Sequence, residues 1–222
     1  TKEKEIEALQ DGFLRTVSHE LRTPLTSVIG FIDLVKSTTK DDLNKTQIGY
    51  LETAYNEASN LNVLINDLLD LSQIQAGNTT LFLKKINVYD LVESIVNSLS
   101  PLTKNKELII ENKIENQELL LQADEIKLRR ILINLVSNSI KFTEKGFINI
   151  NASSTDTHIE FQITDSGIGI HSNNQEAIFE NFRQVDYSST RQYEGIGLGL
   201  SIVKELVEMH KGKISVKSEL GK

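Results

Sequence analysis

Residues 13–26 read FLRTVSHELRTPLT, and the apolar residues in this stretch recur at spacings of three and four. The same spacing continues in both directions through one set of apolar residues: Ile6, Leu9, Phe13, Val17, Leu21, Leu25, Val28, Ile32 and Val35. Such a stripe is typical of an amphipathic helix. Pro24 lacks a backbone N–H and its ring clashes with the preceding turn, so it interrupts the helix and predicts a bend.

A second helix of the same kind follows. Residues 37–42 are polar and are predicted to form a turn. The apolar stripe then resumes at Leu51, Ala54, Ala58, Leu61, Ile65 and Leu68. Two long helices joined by a short loop form an antiparallel hairpin. One hairpin leaves half of each stripe in water, so we expect a second copy to complete a dimeric four-helix bundle.

The composition is that of an ordinary globular protein. Of 222 residues, 39% are hydrophobic and 25% are charged. A net charge of −7 argues against non-specific binding of nucleic acid, which needs a basic surface. The chain has no cysteine, which excludes disulfides and thiolate chemistry. No apolar run approaches the roughly 20 residues that span a bilayer, and no signal peptide is present.

The pattern changes at the helix-stop pair Gly77-Asn78, after which short strand-like runs alternate with helices. Strands are predicted at residues 81–83, 108–112, 119–121, 148–152, 159–163 and 214–216, and helices at 88–99, 124–142 and 198–209. Residues 166–194 have no sustained period and are predicted to form a long loop. The chain is therefore predicted to be an α+β protein of two domains, a helical hairpin over residues 1–76 and an α/β layer domain over residues 77–222.

His19 is on the polar side of the first helix. It lies two residues from both Val17 and Leu21, about 200° around the helix from each. The simplest explanation is a solvated surface histidine. However, the adjacent Glu20 could accept the Nδ1 proton and leave Nε2 as a nucleophile. Thr23, at i+4, shares the same face.

The helix at 124–142 has a polar face with a possible binding role, although the chain has no P-loop and no protein-kinase signature. Asn134, Asn138 and Lys141 are spaced i, i+4 and i+7, which places them on one side of the helix. Two amides and an ammonium there could hold a hydrated Mg²⁺ and phosphate oxygens. A solvated helix face is the alternative interpretation.

Two glycine-rich segments lie further along the chain. The first segment, Asp165-Ser-Gly167-Ile-Gly169, follows a predicted strand. The Asp165 carboxylate can accept a hydrogen bond from the exocyclic amino group of adenine, whereas guanine has a carbonyl at that position. The glycines allow a tight turn and a close approach of the backbone to the base. The second segment, Gly195-Ile-Gly197-Leu-Gly199, is at the predicted start of a helix. Backbone N–H groups and the helix dipole favour phosphates there. An ordinary glycine turn and a loop-to-helix junction are the alternatives.

These segments together resemble the motifs of sensor histidine kinases of two-component systems. FLRTVSHELRTPLT resembles their H-box, and NLVSNSIKFT at residues 134–143 resembles their N-box. The two glycine segments resemble the G1 and G2 boxes, and IFENFRQVD at residues 178–186 resembles the F-box. The resemblance covers nearly the whole chain. It implies a dimerisation and phosphotransfer hairpin followed by a Bergerat-type ATP-binding domain, an α/β sandwich with a mixed sheet packed on helices.

The resemblance also implies roles for individual residues. His19 would be phosphorylated, Glu20 would be the general base, and Thr23 would position water for dephosphorylation of the partner. ATP, with ADP as product, and Mg²⁺ are implied, with Asn138 at the metal and Asn134 and Lys141 at the phosphates. The other nucleotide-binding residues would be Phe142, Asp165, Gly167, Gly169, Ile170, Phe182, Arg183, Gly195, Gly197, Leu198, Gly199 and Leu200.

The partners implied are a response-regulator receiver domain and a second copy of the hairpin, with no nucleic acid. We expect a cytoplasmic location, or the cytoplasmic part of a membrane sensor. Because the chain begins at Thr1 rather than Met, it is interpreted as a piece whose membrane contacts, if any, are made by absent segments. It stops at Gly221-Lys222, inside the last glycine motif of the family.

Two departures from the family pattern lie in and after the F-box. Gln184 occupies a position where many relatives have Arg, and Ile196 replaces a more usual Thr. Two other functions stay open: an ATPase of the chaperone, gyrase or mismatch-repair type, which would lack the H-box hairpin, and a nucleotide-binding scaffold without phosphotransfer. Three further histidines have no motif role and are predicted to be structural or surface residues: His158, His171 and His210.

Overall fold

The structure, a computed structural model, describes residues 21–39, 43–77, 79–104, 106–181, 183 and 197–221. It divides into two compact units, one ending at Thr79 and the other beginning at Thr80. Several residues with a predicted role lie outside the described ranges: His19, Glu20, Phe182, Gln184, Gly195 and Ile196.

The first unit contains two helices. Helix α1 covers residues 21–38 and runs through Pro24, so the interruption predicted at this residue is not seen in the described part of the helix. The residue four positions earlier, Glu20, lies outside the described residues. Helix α2 spans Lys45–Gln75 and begins with a capping box. In it the Asn44 side chain accepts from the Gln47 N–H at 2.9 Å, and the Gln47 side chain accepts from the Asn44 N–H at 2.9 Å.

The two helices bury only one side of the apolar surface of α1. Leu25 packs with Ala58 and Ile65 of α2, and Ile29 lies against this cluster. Ile32 is buried as well, whereas five large apolar residues of α1 are exposed: Leu21, Val28, Phe31, Leu34 and Val35. As predicted, one copy of the hairpin leaves a substantial part of its apolar stripe in contact with solvent.

The second unit contains two sheets. Strand β1 (Lys84–Asn87) pairs antiparallel with β3 (Leu120–Ala123). The larger sheet has the order β2-β4-β5, built from β2 (Glu107–Asn112), β4 (Lys145–Ser154) and β5 (Ile159–Asp165). Strand β2 runs parallel to β4, and β5 runs antiparallel to it. This sheet is therefore mixed, as expected.

Three helices complete the second unit: α3 (Val88–Leu99), α4 (Glu125–Phe142) and α5 (Gly199–Met209). Short 3₁₀ helices lie at Ser100–Thr103, Ser172–Asn174 and Ala177–Phe179. The alternation of β4 buries Ile148 and Ile150 in the same core as Leu132 of α4 and Ile95 of α3. The α/β layer prediction is confirmed.

Two predicted strands differ from the structure. The run at residues 81–83 is irregular, and β1 begins at Lys84 instead, because Ile86 is the buried residue whereas Phe82 is 76% exposed. The strand predicted at residues 214–216 does not form; residues 212–219 have no regular secondary structure. Hydrogen bonds of this segment go to a loop instead: Ser218 Oγ accepts from the Ile170 N–H at 2.8 Å.

Within the described residues, no helix combines the length and the apolarity that crossing a bilayer requires.

Candidate functional site

Helix α4 carries the predicted polar face and is held at both ends. At its start, Asp124 accepts hydrogen bonds from the backbone N–H groups of Lys127 (3.1 Å) and Phe82 (3.0 Å) and from the Lys127 ammonium (3.1 Å). At its end, the Lys106 ammonium donates to the carbonyls of Ile140 (2.6 Å) and Thr143 (3.2 Å). A cation at this end also interacts favourably with the helix dipole. These contacts hold the two ends of the helix to the segments that precede β1 and β2.

The electrostatics of Asp124 follow from its contacts. Burial raises the pKa of this carboxyl, but the backbone hydrogen bonds from Phe82 and Lys127 and the Lys127 ammonium outweigh it, so the net effect lowers the pKa below its ordinary value of 3.8. The neighbouring Glu125 also has a lowered pKa, mainly because its carboxylate pairs with the Lys84 ammonium at 2.5 Å. Both groups stabilise the first turn of α4 in their charged form.

Asp165 ends β5 beside the C-terminal half of α4. The Ser139 hydroxyl of α4 donates to Asp165 Oδ2 at 2.9 Å, and the Gly167 N–H donates to Oδ1 at 3.0 Å. Ser139 is buried and Asp165 is exposed. Each carboxylate oxygen thus has one fixed donor inside the protein and further lone pairs toward solvent. The carboxylate can accept another hydrogen bond from a ligand.

The turn after β5 requires glycine. A Cβ on Gly167 would lie 2.7 Å from the Phe142 carbonyl oxygen and 2.8 Å from Thr143 Oγ1. Gly169 has a φ of +71°, and its Cβ would collide with the carbonyl of Glu219. Both glycines therefore let the backbone pass close to α4 and to the last described segment. A ligand could approach this backbone just as closely.

Thr143 contributes a buried hydroxyl beside this turn. The residue is 0% exposed, and its Oγ1 has no hydrogen-bond partner among the described residues. An unpaired buried hydroxyl costs about 1–3 kcal/mol, and a bound ligand or water commonly satisfies such a group. Together with the exposed Asp165 carboxylate, it is a feature expected of a binding site rather than of a packed core.

The polar face of α4 meets the start of α5. A Cβ on Gly199 would lie 2.9 Å from Asn134 Oδ1, so these two segments are in close contact. The Asn134 amide donates to the Arg130 carbonyl at 3.2 Å. Asn138 is half-buried on the same helix. The Lys141 ammonium lies 5.2 Å from the centroid of the Phe142 ring.

The first turn of α5 is open to an anion. Leu198, its N-cap residue, makes no side-chain capping hydrogen bond, and the first turn has no acidic residue. Helices α2, α3 and α4 instead begin with Asn44, Asn87 and Asp124, whose side chains cap them. Among the described residues, the N-cap side chain thus leaves the backbone N–H groups at the start of α5 uncapped, which suits a phosphate.

Gly197 and Arg183 are neighbours just before α5. Gly197 has a φ of +77°, and its Cβ would lie 2.5 Å from the Arg183 carbonyl oxygen. The chain on the far side of the long loop thus returns to the start of α5. The contact requires glycine at this position, because any side chain would be both strained and obstructed.

The structure brings together the N-box residues on α4, the G1 residues after β5 and the described G2 residues at α5. It leaves His19, Glu20, Phe182 and Gly195 outside its described ranges, and Thr23 belongs to the first unit. Among the described residues, no group of three His, Asp or Glu side chains could hold a metal ion. A cation in this site would need amide oxygens, such as that of Asn138, and oxygens from its own ligand.

Sequence analysis missed Ser139 and Thr143. A signal for Ser139 was available, because it falls on the apolar stripe of α4, seven residues after Leu132 and three after Val136, both buried. A polar residue on a buried stripe needs a hydrogen-bond partner. The sequence offered no comparable signal for Thr143, which lies just beyond the end of the helix.

The three remaining histidines have structural contacts, as predicted. His210 Nε2 accepts from the Asp124 N–H at 3.2 Å, and its Nδ1 lies 2.8 Å from the Leu206 carbonyl, which assigns the proton to Nδ1. His171 Nδ1 accepts from the Asn173 N–H at 3.3 Å. His158 contacts Thr155 in the β4–β5 turn.

Two family models match the chain. The model of the "His Kinase A (phospho-acceptor) domain" matches residues 9–77. The model of the "Histidine kinase-, DNA gyrase B-, and HSP90-like ATPase" matches residues 123–222.

Curated relatives cover almost the whole chain. The circadian input-output histidine kinase CikA of Synechococcus elongatus is 39% identical over 217 residues, which is 96% of this chain and 29% of that protein. The autoinducer 2 sensor kinase/phosphatase LuxQ of Vibrio vulnificus is 40% identical over 219 residues, which is 95% of this chain and 25% of that protein. The chain therefore spans less than a third of the length of these relatives.

Solved structures have the same fold. Full-length ShkA in complex with AMPPNP matches with a TM-score of 0.81 and 32% identity, over 95% of this chain and 43% of that one. The histidine kinase AdeS of Acinetobacter baumannii matches with a TM-score of 0.65 and 21% identity, over 91% of this chain and 92% of that one. The second likeness concerns the fold alone.

Proposed function

The chain belongs to the sensor histidine kinases and comprises their catalytic core, and on that premise we propose that it transfers the γ-phosphoryl group of Mg-ATP to His19. The observation that carries the proposal is the convergence of an exposed Asp165 carboxylate, close-packed glycine turns and the uncapped start of α5 in one unit. The ShkA complex with AMPPNP, an ATP analogue, supports ATP as the nucleotide.

In this proposal the Asp165 carboxylate and the glycine turn that follows it recognise the adenine base. The carboxylate accepts a hydrogen bond from the exocyclic amino group of adenine, which guanine lacks at that position. Gly167 and Gly169 let the backbone approach the base. Ile170 directly follows this turn, and the Phe142 carbonyl accepts a hydrogen bond from the Ile168 N–H within it at 3.2 Å. Thr143 supplies a hydroxyl that has no hydrogen-bond partner in the described part of the chain.

The phosphates lie toward the start of α5. Asn138 ligates Mg²⁺ through its amide oxygen, and Asn134 and Lys141 contact phosphate oxygens from the same face of α4. The backbone from Gly195 through Leu200 donates N–H groups to the phosphates. Phe182 and Arg183 belong to the loop that covers the nucleotide. We propose these roles from the family resemblance together with the geometry of the described residues.

The reaction itself takes place on the hairpin. His19 Nε2 attacks the γ-phosphorus, so that a P–N bond forms as the bond to the β–γ bridging oxygen breaks and ADP leaves. Glu20 accepts the proton from Nδ1. Such phosphoryl transfer depends mostly on positioning and charge neutralisation. In a second activity, Thr23 would position the water that hydrolyses the phosphoryl group on the partner.

The proposed partners are a receiver domain and a second copy of the chain. The phosphoryl group passes from His19 to an aspartate of a response regulator. The phospho-acceptor family match and the exposed apolar residues of α1 support a homodimer through the hairpin.

Because the reaction uses ATP, we place it in the cytoplasm. The relatives described as kinase/phosphatase support a second, dephosphorylating activity.

Nucleotide binding tests the proposal independently of chemistry. Titration calorimetry of the 222-residue chain with Mg-ATP should give one site per chain, and saturating Mg-ATP should raise the melting temperature. Asp165→Ala should weaken binding by about tenfold or more, since a hydrogen bond to a charged group is lost. Unchanged affinity in this variant would contradict the assignment of the base to Asp165.

A further inference from the structure

Ser139 uses its hydroxyl differently from three other serines in the helices of the second unit. Ser94, Ser98 and Ser201 each donate to a carbonyl three residues earlier in their own helix. A hydroxyl within a helix has this local option because the carbonyls of the preceding turn are close. Ser139 instead donates out of α4 to Asp165 Oδ2, 26 residues away in the sequence. Its position is 7% exposed, so water does not readily replace the bond.

The two donors to Asp165 fix different degrees of freedom. The Gly167 N–H is part of the turn that Asp165 itself begins, and it holds Oδ1. The Ser139 hydroxyl comes from a helix anchored at both ends, and it holds Oδ2. With only the turn contact, the carboxylate plane could rotate about the terminal torsion of the side chain, which has a broad energy well. With both contacts, its orientation is fixed.

We propose that Ser139 is a positioning residue that sets the preference of this site for purines with a 6-amino group. It does so by holding the Asp165 carboxylate in the orientation that accepts the exocyclic N–H. A ligand hydrogen bond gains specificity when the protein group is oriented before the ligand binds. The inference rests on the proposed function, in which Mg-ATP occupies this site with its base against Asp165.

The test combines a change in the protein with a change in the ligand. The affinities of wild type and Ser139→Ala are measured by calorimetry for Mg-ATP and for the Mg complex of purine riboside triphosphate, which lacks the 6-amino group. Wild type should bind ATP about tenfold or more tightly than the analogue. In Ser139→Ala this ratio should fall by about 3- to 10-fold, because ATP loses affinity whereas the analogue does not.

Controls separate positioning from packing. Ser98→Ala removes a hydroxyl that is bonded within its own helix, and it should leave the ratio at the wild-type value. Ser139→Thr keeps the donor and should restore most of the discrimination. If Ser139→Ala does not fold, as judged by the thermal melt without nucleotide, Ser139→Cys carries the comparison, since a thiol keeps the volume but donates weakly.

The outcomes are distinct. A ratio that stays at the wild-type value in Ser139→Ala, or affinities that fall equally for both ligands, would overturn the inference and leave ATP binding intact. A wild-type chain that binds neither ligand, or that binds both equally, would overturn the proposed base contact itself and the inference with it.

Discussion

At the scale of single residues, the site depends on positions where the backbone needs space as much as on polar groups. Gly167, Gly169 and Gly197 each have a neighbouring backbone carbonyl where a side chain would begin. Such contacts bring main-chain N–H groups of separate segments near one surface. A substitution there changes the position of the donors rather than removing a functional group, and it should therefore act on binding more than on the fold.

Gly197→Ala tests this view. The left-handed conformation costs a non-glycine residue about 1–2 kcal/mol, and the new Cβ would lie 2.5 Å from the Arg183 carbonyl oxygen. We expect the affinity for Mg-ATP, measured by calorimetry, to fall by about tenfold or more, with the far-UV circular dichroism of wild type retained.

Gly77→Ala is the matched control for this substitution. Gly77 also has a positive φ, +68°, but nothing lies within 4 Å of its Cβ position. It should carry the same backbone strain and leave nucleotide affinity unchanged. Equal affinity losses in the two variants would show that strain alone, and not the contact with Arg183, is responsible.

At the scale of elements, α4 connects the two ends of the site, and its capping residue decides how firmly it is held. Asp124 caps this helix, receives the Phe82 N–H, and forms an ion pair with Lys127 at 3.1 Å. The His210 ring accepts from the Asp124 N–H and so joins the end of α5 to the start of α4. The contacts of Asp124 therefore help to hold Asn134 and Asn138 in position, although these two residues lie more than a helical turn further along α4.

Asp124→Ala should lower the free energy of unfolding by about 2 kcal/mol, because a cap and a buried acceptor are lost together. Asp124→Asn keeps the cap and removes the charge. The pKa of Asp124 is lowered in the folded state, so its charge stabilises the fold above the ordinary pKa of 3.8 and this stability is lost as the pH falls through the lower folded value.

The pH dependence can be measured by urea denaturation of wild type and Asp124→Asn. The difference between their unfolding free energies should be constant from neutral pH to about pH 5 and should shrink below about pH 4. A difference that grows on acidification would contradict the assigned direction of the pKa.

The elements differ in how far sequence predicts them. The predicted bounds of helix α3, 88–99, agree with the observed ones, because its apolar residues follow the helical spacing. The structure adds the Asn87 cap at its start. Strands β4 and β5 followed from strict alternation. The short apolar run at residues 81–83 was misassigned, because three residues have too little periodicity to tell a strand from an exposed loop. The run at residues 214–216 failed for the same reason.

The site was predictable to a similar extent. The shared face of Asn134, Asn138 and Lys141 follows from helical spacing alone. The bond between Ser139 and Asp165 does not, because it depends on how β5 packs against α4. Local patterns determine which residues share a face, whereas contacts between elements depend on packing that no single segment encodes.

At the scale of the whole molecule, the hairpin presents an apolar surface that its own unit does not cover. Leu21, Val28 and Val35 recur every seven residues along α1, and Phe31, 68% exposed, lies between the last two. A heptad spacing of exposed apolar residues is typical of a helix that packs against another. It supports the proposed dimeric four-helix bundle.

Phe31→Glu should convert a dimer into a monomer, because a charge would be buried in the apolar interface without a partner. Sedimentation equilibrium of the 222-residue chain measures the change directly. Phe31→Leu keeps an apolar side chain and should remain dimeric. A monomeric wild type, or a Phe31→Glu variant that dimerises as well as wild type, would contradict the proposed interface.

We propose that the second unit binds Mg-ATP and phosphorylates His19 of the hairpin. The most direct measurement is incubation of the purified chain with γ-labelled Mg-ATP, beside His19→Gln and Asn138→Ala. We predict label on wild type that is stable to alkali and labile to acid, as expected of phosphohistidine, and no label on either variant. A wild type that binds the nucleotide but takes up no label, or a His19→Gln variant that is still labelled, would contradict the claim; the first result would indicate a nucleotide-binding scaffold instead.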